Sequence, residues 1–377
     1  MSDFLKWIST LPALAQIPLV VLAFLIVMGL LIFFLEVAPR TGRLYTGIRL
    51  AVCVLAPLLI FLALGSVWWA AAVAAVVGGV FFIMDFRSRE GAGYLFQLVG
   101  FLSPAIVLLA IGLIYPSIQT TIAAFMNSRG NRFVGLENFI WIFTQETGIR
   151  TVLNTIVWVL IVPALSTAFG LAYAVFIDKS RGEKFFKILV FMPMAISFVG
   201  ASIIWRFVYT ARPAGEAQIG LLNQIVVWLG GQPVDWLSNA PWNTFFLIVV
   251  LIWIQTGFAM VVLSAAIKGV PAEQLEAAEL DGTNAWQRFT NVTVPGIQSS
   301  LVVVLTTISI ASLKVFDIVR TMTAGSNQTS VIANEMYTQW KGFEVGRSAA
   351  FALVLFVLVL PIVVYNARQI AKQREIR

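Results

Sequence analysis

Histidine is absent from this chain of 377 residues, and cysteine occurs once, as Cys53. The chain therefore cannot form an internal disulfide, a histidine or cysteine metal cluster, or a nucleophile activated by histidine. Charged residues make up only 11% of the chain, against roughly 25% in an average soluble domain. Hydrophobic residues make up 59%. This composition excludes a soluble enzyme, a nucleic-acid-binding protein and a disordered protein, and it predicts a polytopic membrane protein.

Long apolar runs recur along the whole chain. A helix needs about 20 apolar residues to cross a hydrocarbon core about 30 Å thick. Nine segments meet this requirement, so we predict an all-α membrane protein with about nine transmembrane helices. The segments are 16–37, 48–65, 67–84, 96–116, 151–177, 188–209, 243–267, 299–320 and 349–367.

The composition of these segments divides the chain near residue 90. Residues 1–90 contain three candidate spans with few polar residues and short connections. Residues 91–377 contain six spans with longer loops and with polar residues inside the helices. We take residues 91–377 as the working core. The first part is either an accessory layer facing lipid or an element that docks a partner.

The basic residues predict the orientation of the chain. Fourteen of the 25 Lys and Arg residues lie in loops on one side of the predicted spans, and seven lie in loops on the other side. Cytoplasmic loops carry the excess of Lys and Arg. We therefore expect the C-terminus and the 268–298 loop in the cytoplasm, and with nine spans the N-terminus outside.

The 268–298 loop, between the seventh and eighth spans, has the pattern of two short helices. Pro271 suits a first helical turn, and residues 272–281 are strong helix formers. Gly282 suits a helix end where φ turns positive. We predict a second helix over 284–291, with Trp286 and Phe289 on one side, before Pro295 opens the eighth span.

The charge of this loop favours a protein partner. The loop contains two basic residues and four acidic ones, Glu273, Glu276, Glu279 and Asp281. This excess of negative charge is unfavourable beside an anionic lipid surface. Leu275 and Ala278 share a helix face, and small alanines permit close approach of another surface. The alternative is an amphipathic interfacial loop that only closes a hairpin.

The same loop also resembles a known sequence family. Glu276-Ala277-Ala278, Gly282 and Val294-Pro295 resemble the EAA motif in the membrane subunits of bacterial ABC importers. The longer pattern, which includes Asp281, Trp286-Gln287, Phe289 and Val292-Thr-Val-Pro295, is similar to the carbohydrate-importer branch. Val292 and Val294 replace the usual Ile and Leu.

Further stretches extend the resemblance over roughly 96–367. They are Phe133-Val-Gly-Leu-Glu-Asn-Phe139, Asn154-Thr155, Gly220-Leu-Leu-Asn223, Phe316-Asp317 and Thr323-Ala-Gly325 with Thr329. The ending 366–372 lacks the tail of the second permease type in the maltose system, so the chain resembles the first type. Its sequence as a whole is similar to those of permeases for α-glucosides such as maltose, trehalose or sucrose.

The resemblance implies a heteromeric machine. In such importers two homologous permeases form the pathway, two cytoplasmic ATPase subunits bind ATP and Mg²⁺, and an extracytoplasmic protein delivers the sugar. The EAA helices couple ATPase closure to alternating access. The coupling residues implied here are Glu276 for a charged contact, Ala277 and Ala278 for shape and Gly282 for the bend, together with Asp281 and Pro295. No cofactor is expected on this chain, whose sequence has no G-x-x-x-x-G-K-[ST] motif.

Polar and aromatic residues inside the late spans are the candidates for a sugar path. Trp205, Arg206 and Tyr209 end the sixth span, and Trp253 and Gln255 lie in the seventh. Aromatic rings stack on sugar faces, whereas an interfacial aromatic belt is the ordinary alternative. Trp236 and Trp242 are predicted to be belt residues.

Span eight adds Ser312, Lys314 and Asp317. Lys314 and Asp317, and Asp317 and Arg320, are three residues apart and therefore on neighbouring helical turns. Charges at membrane depth are costly unless paired or hydrated, so they line a pathway or hold helices together. The alternatives to an importer subunit are an ion-driven secondary transporter and a membrane scaffold that docks a cytoplasmic partner through the 268–298 loop.

Overall fold

The computed structural model describes residues 109–375 except 178 and 179, together with a few isolated positions before residue 109. The chain divides into two compact units, Met1–Pro116 and Ser117–Arg377. The description below concerns the second unit. The first three predicted spans and the division predicted near residue 90 lie outside the described residues and remain predictions.

The described part of the chain is helical and contains no β-strand, which confirms the all-α class. An isolated antiparallel bridge joins Met126 and Phe133. The helices are α1 (Tyr115–Ala123), α2 (Glu137–Thr144), α3 (Glu146–Ile177), α4 (Glu183–Phe191), α5 (Phe198–Tyr209), α6 (Leu221–Trp228), α7 (Trp242–Lys268), α8 (Ala272–Leu280), α9 (Ala285–Gly296), α10 (Gln298–Leu313), α11 (Asp317–Met322), α12 (Ile332–Lys341) and α13 (Val345–Glu375).

Among the residues that the structure describes, three helices are long and apolar enough to cross a membrane: α3, α7 and the Val345–Arg368 part of α13. They contain the predicted spans 151–177, 243–267 and 349–367, which are therefore confirmed as continuous helices. With two bent pairs counted as spans, the described residues contain up to five candidates. The predicted total of nine remains a prediction.

The centre of the bundle is the contact between α3 and α7. A Cβ added at Gly170 of α3 would overlap the side chain of Ala259 on α7. Trp158 and Leu251 are buried in the same cluster. Since lipid offers no hydrophobic drive for helix association, small residues that allow close backbone approach stabilise such contacts.

Two predicted spans are not straight helices, so the prediction of continuous spans there is wrong. Residues 188–209 form α4, a 3₁₀ turn over Met192–Ala195 and α5, with a 103° bend. Pro193 lies in that turn, where its missing N–H and its ring oppose an α-helix. Ser197 then starts α5 by accepting a hydrogen bond from the Gly200 amide at 3.1 Å.

The predicted span 299–320 is broken in a similar way. Here α10 ends at Leu313 and α11 begins at Asp317. Lys314 caps the negative end of α10, and Asp317 lies in the positive first turn of α11. Both charges suit the helix dipoles at a break. At its other end α10 meets α9 at a 69° bend, so Pro295 lies in the short helix before the bend and does not open a straight span.

Asparagine side chains hold the loops at one end of the bundle. We call this end the far end, and it consists of loops 210–241 and 323–331 with the first turns of α3 and α7. Asn154 donates to the backbone oxygens of Gln328 and Ser330 at 2.7 and 2.9 Å. Asn223, fully buried, donates to Thr210 O at 3.0 Å and accepts from the Val234 amide at 2.9 Å.

Two of the family-like stretches therefore serve loop closure. The Asn154-Thr155 pair holds the 323–331 loop against α3, because Thr155 also accepts from the Ile332 amide at 3.0 Å. Asn138, in the 133–139 stretch, donates to Ala124 O and Met126 O at 2.9 and 2.7 Å. Buried amides that satisfy several backbone groups fix a loop in one conformation.

Candidate functional site

The predicted two-helix loop forms a sharp elbow, here defined as α8 and α9, residues 272–296. Its corner is a Schellman motif at the end of α8. The Thr283 amide donates to Ala278 O at 3.2 Å, and the Gly282 amide donates to Glu279 O at 3.0 Å. Gly282 has a φ of +78°, which confirms the predicted left-handed stop.

The second arm of the elbow is fixed by its own first turn. Asn284 and Gln287 form a capping box, with both hydrogen bonds at 2.9 Å. Arg288 then reaches back across the corner: one guanidinium nitrogen donates to Thr283 O at 2.8 Å and lies 3.6 Å from the Glu279 carboxylate. These contacts hold the two arms at a fixed angle without a partner.

One face of α8 is exposed along its whole length. Glu273, Glu276, Ala277 and Leu280 are exposed and follow the spacing of one helix face. We call these four residues the α8 stripe. Leu280 is 90% exposed. Such exposure of a large apolar side chain beside two carboxylates suits an interface rather than a free surface.

The other predicted coupling residues lie around this stripe. Ala278 and Leu275 share a helix face, as predicted, but that face is half-buried and turned away from the stripe, and Asp281 is the exposed C-cap of α8. Pro295 is exposed next to the bend at Ile297. On α9, Trp286 is 71% exposed, and its ring lies 5.7 Å from that of Phe289.

A charged cluster lies at the base of the elbow. Glu183 Oε1 accepts from Lys187 Nζ at 2.6 Å and from Lys268 Nζ at 2.7 Å. Lys187 also donates to Ser264 Oγ at 2.6 Å. The hydrogen bonds from Lys187 and Lys268 lower the pKa of Glu183 from 4.5 to about 2. Glu183 lies before the predicted span 188–209, and no local sequence pattern marks it as a functional residue.

The aromatic candidates for a sugar path meet in one cluster. The Trp205 ring lies 5.3 Å from Tyr209 and 5.7 Å from Trp253. Phe246 extends the cluster, 5.8 Å from Tyr209 and 4.9 Å from Trp236. Tyr209 is only 3% exposed and donates to Phe246 O at 2.9 Å, so its hydroxyl is occupied here.

Trp236 was predicted as a belt residue, and that prediction is wrong. Its ring packs against the central core through Phe246, and its indole nitrogen is buried. Trp242, by contrast, is 64% exposed, as a belt residue would be. The signal that was missed is the Phe246 ring four residues into α7, which provides a partner for Trp236.

The polar candidates do not gather around the aromatic cluster in one constellation. Arg206 is exposed, and Gln255 is half-buried two residues from Trp253, on another face of α7. Ser312 is fully buried and donates to Ile308 O at 2.8 Å within its own helix.

The predicted charge pairs of span eight do not form. Among the described residues, Asp317 makes no ion pair with Lys314 or Arg320. The helix break separates Lys314 from Asp317, whereas Arg320 lies on the same helix as Asp317 but turns to another partner. The Arg320 guanidinium lies instead 4.7 Å from the centre of the Tyr337 ring. Lys314 is exposed and Asp317 half-buried.

Long apolar helices, bent spans and a braced polar elbow define a polytopic helical membrane protein with an exposed surface beyond its apolar core. The chain belongs to the family described as "Binding-protein-dependent transport system inner membrane component", which matches residues 166–377. The match includes the elbow, the aromatic cluster and Glu183.

Curated relatives agree with this family. The chain is 49% identical to an alpha-glucoside transport system permease of Rhizobium meliloti, over 72% of this chain and 82% of that one. It is 46% identical to an osmoprotective compounds uptake permease of Synechocystis, over 74% of this chain and 100% of that one.

A solved structure shares the fold. A chain of the bacterial alginate ABC transporter, crystallised with an alginate pentasaccharide-bound periplasmic protein, superposes with a TM-score of 0.64. Its sequence identity to this chain is 23%, and the superposition covers 74% of this chain and 96% of the other.

Proposed function

We propose that this chain forms half of the translocation pathway of an ATP-driven importer for an oligosaccharide of the α-glucoside type. The observation that carries the proposal is the elbow: a polar, internally braced structure at the end of an apolar bundle, with its α8 stripe uncovered. In a sugar permease this surface is the place where an ATPase subunit docks.

The side chains of the α8 stripe indicate what kind of surface the ATPase must present to them. Leu280 requires an apolar pocket, and Glu273 and Glu276 require hydrogen-bond donors or cations beside that pocket. Ala277, between them, presents little more than backbone, so a large residue there would hold the two surfaces apart. We infer that Glu276, Ala277 and Asp281 form the contact with the ATPase, and that Ala278, which packs on the inner face of α8, shapes the elbow together with Gly282 and Pro295.

The rest of the machine follows from this docking. ATP and Mg²⁺ are bound by two ATPase subunits, a second homologous permease completes the pathway, and an extracytoplasmic binding protein delivers the sugar. The excess of basic residues on the elbow side supports a cytoplasmic elbow and C-terminus. ATPase closure then drives alternating access, since a ligand shifts an equilibrium only by its different affinities for two states.

The substrate class is supported by the relatives and by the aromatic cluster. One relative is named for alpha-glucosides and another for osmoprotective compounds. Trp205 and Trp253 are both half-buried, so each ring keeps a surface on which a sugar could stack. Arg206, Gln255, Ser312, Lys314 and Asp317 remain candidates for polar contacts in another conformation of the pathway.

The proposal is tested by co-expressing the chain with the second permease and the ATPase, and by substituting one alanine. Ala277→Phe on the stripe should abolish co-purification of the ATPase. The matched control is Ala214→Phe, at an exposed alanine of the far end, which should leave assembly intact. An Ala277→Phe complex that assembles and transports normally would contradict the docking assignment.

A further inference from the structure

Three contacts line up where α4 runs antiparallel to the last turns of α7. Glu183 bonds Lys268 at 2.7 Å, and Lys187 bonds Ser264 at 2.6 Å. At the third contact, a Cβ added at Gly257 would lie 2.7 Å from Val190 O. We call this row of contacts the α4–α7 seam.

The two polar contacts of the seam are spaced as two antiparallel helices require. The first pair is Glu183 with Lys268, and the second is Lys187 with Ser264. The second pair lies four residues later on α4 and four residues earlier on α7, which is about one turn of each helix. A glycine at the third pair lets the backbones touch. Since Lys268 is the last residue of α7 and the elbow begins four residues later, the charged end of the seam lies directly at the base of the elbow.

We propose that Glu183 is a positioning residue for energy coupling. Its carboxylate fastens α4 to the base of the elbow, so that α4 and the elbow move as one body and the 103° bend before α5 acts as the joint. This inference rests on the proposed function, because it assumes that a docked ATPase moves the elbow.

The alternative is that Glu183 only neutralises two lysines. Two features favour positioning. The carboxylate joins a residue of its own helix to one that is 85 positions away in the chain. Its second partner, Lys187, in turn donates to Ser264 Oγ on α7 at 2.6 Å, so the carboxylate belongs to a continuous contact between two helices. The α5 helix beyond the joint carries Trp205 and Tyr209 of the aromatic cluster, so movement of α4 would reach the proposed sugar path.

The test uses the complete importer, reconstituted in vesicles with its binding protein and with maltose, trehalose or sucrose. Glu183→Gln should lower sugar-stimulated ATP hydrolysis by at least about five-fold, the lower end of usual coupling between sites. The amount of sugar moved per ATP should fall as well, with unstimulated hydrolysis and subunit composition unchanged. The matched control is Glu146→Gln, which breaks another i,i+4 pair, with Arg150 at 2.8 Å; it should have no effect.

A charge exchange separates positioning from general stability. Glu183→Lys together with Lys268→Glu keeps one acid between two lysines, and it should restore coupling to within about two-fold of the unmodified complex. Normal coupling in Glu183→Gln, or failure of the exchange to restore it, overturns the inference. If the unmodified complex shows no stimulation by any of the sugars, the proposed function fails, and this inference fails with it.

Discussion

Gly282 is the residue at which the elbow can be perturbed with the least disturbance elsewhere. Its φ is +78°, and a methyl group added there would meet nothing within 4 Å. Gly282→Ala therefore adds only the cost of a left-handed L-residue, roughly 1–2 kcal/mol. That cost lowers the equilibrium constant for forming the elbow conformation seen here by roughly 5- to 30-fold. If the ATPase binds this conformation, its affinity should fall by up to the same factor.

The assay is a titration of purified ATPase onto the detergent-solubilised permease pair. Gly215→Ala provides the control, because Gly215 has a φ of +91° and equally open surroundings but lies at the far end. Gly282→Asn should recover part of the affinity, since asparagine tolerates this conformation better than alanine. Equal ATPase affinities for the Gly282→Ala and Gly215→Ala variants would refute the reasoning.

Three further predictions concern packing, loop closure and the sugar path. Gly257→Ala should destabilise the complex by about 1–3 kcal/mol through overpacking against Val190, whereas Gly342→Ala, with its nearest neighbour at 3.5 Å, should not; thermal melting compares them. Asn154→Ala should make the 323–331 loop sensitive to limited proteolysis, because two backbone oxygens lose their donor. Trp205→Ala should raise the KM of sugar uptake about ten-fold if the stacking contributes about 1.4 kcal/mol, whereas the exposed Trp242→Ala should leave it unchanged.

The elbow could be predicted from sequence because its signals are local. Gly282 ends α8 because its φ is positive. The helix formers before it and the three-residue spacing of Trp286 and Phe289 after it depend only on residues that are close together in the sequence. The bracing by Arg288 was not predicted, since it depends on the angle between the two arms. Leu280 could have been recognised from its place on the same face as Glu276 and Ala277.

The bent spans and the seam could not be predicted in this way. The hydropathy of 299–320 is continuous, and its break depends on the packing of α11 against α5 as well as on the charges of Lys314 and Asp317. The pairing of Glu183 with Lys268 joins distant parts of the chain, and no local pattern marks it. Pro193, in contrast, was a visible signal for the bend in 188–209.

Contact between Leu280 and the ATPase is the central claim, and photocrosslinking tests it most directly. A photoreactive residue at position 280 should capture the ATPase in an importer that transports. The same residue at Leu229, which is 83% exposed at the far end, should not. Capture that is absent at position 280, or equal at both positions, in a functioning complex would contradict the account.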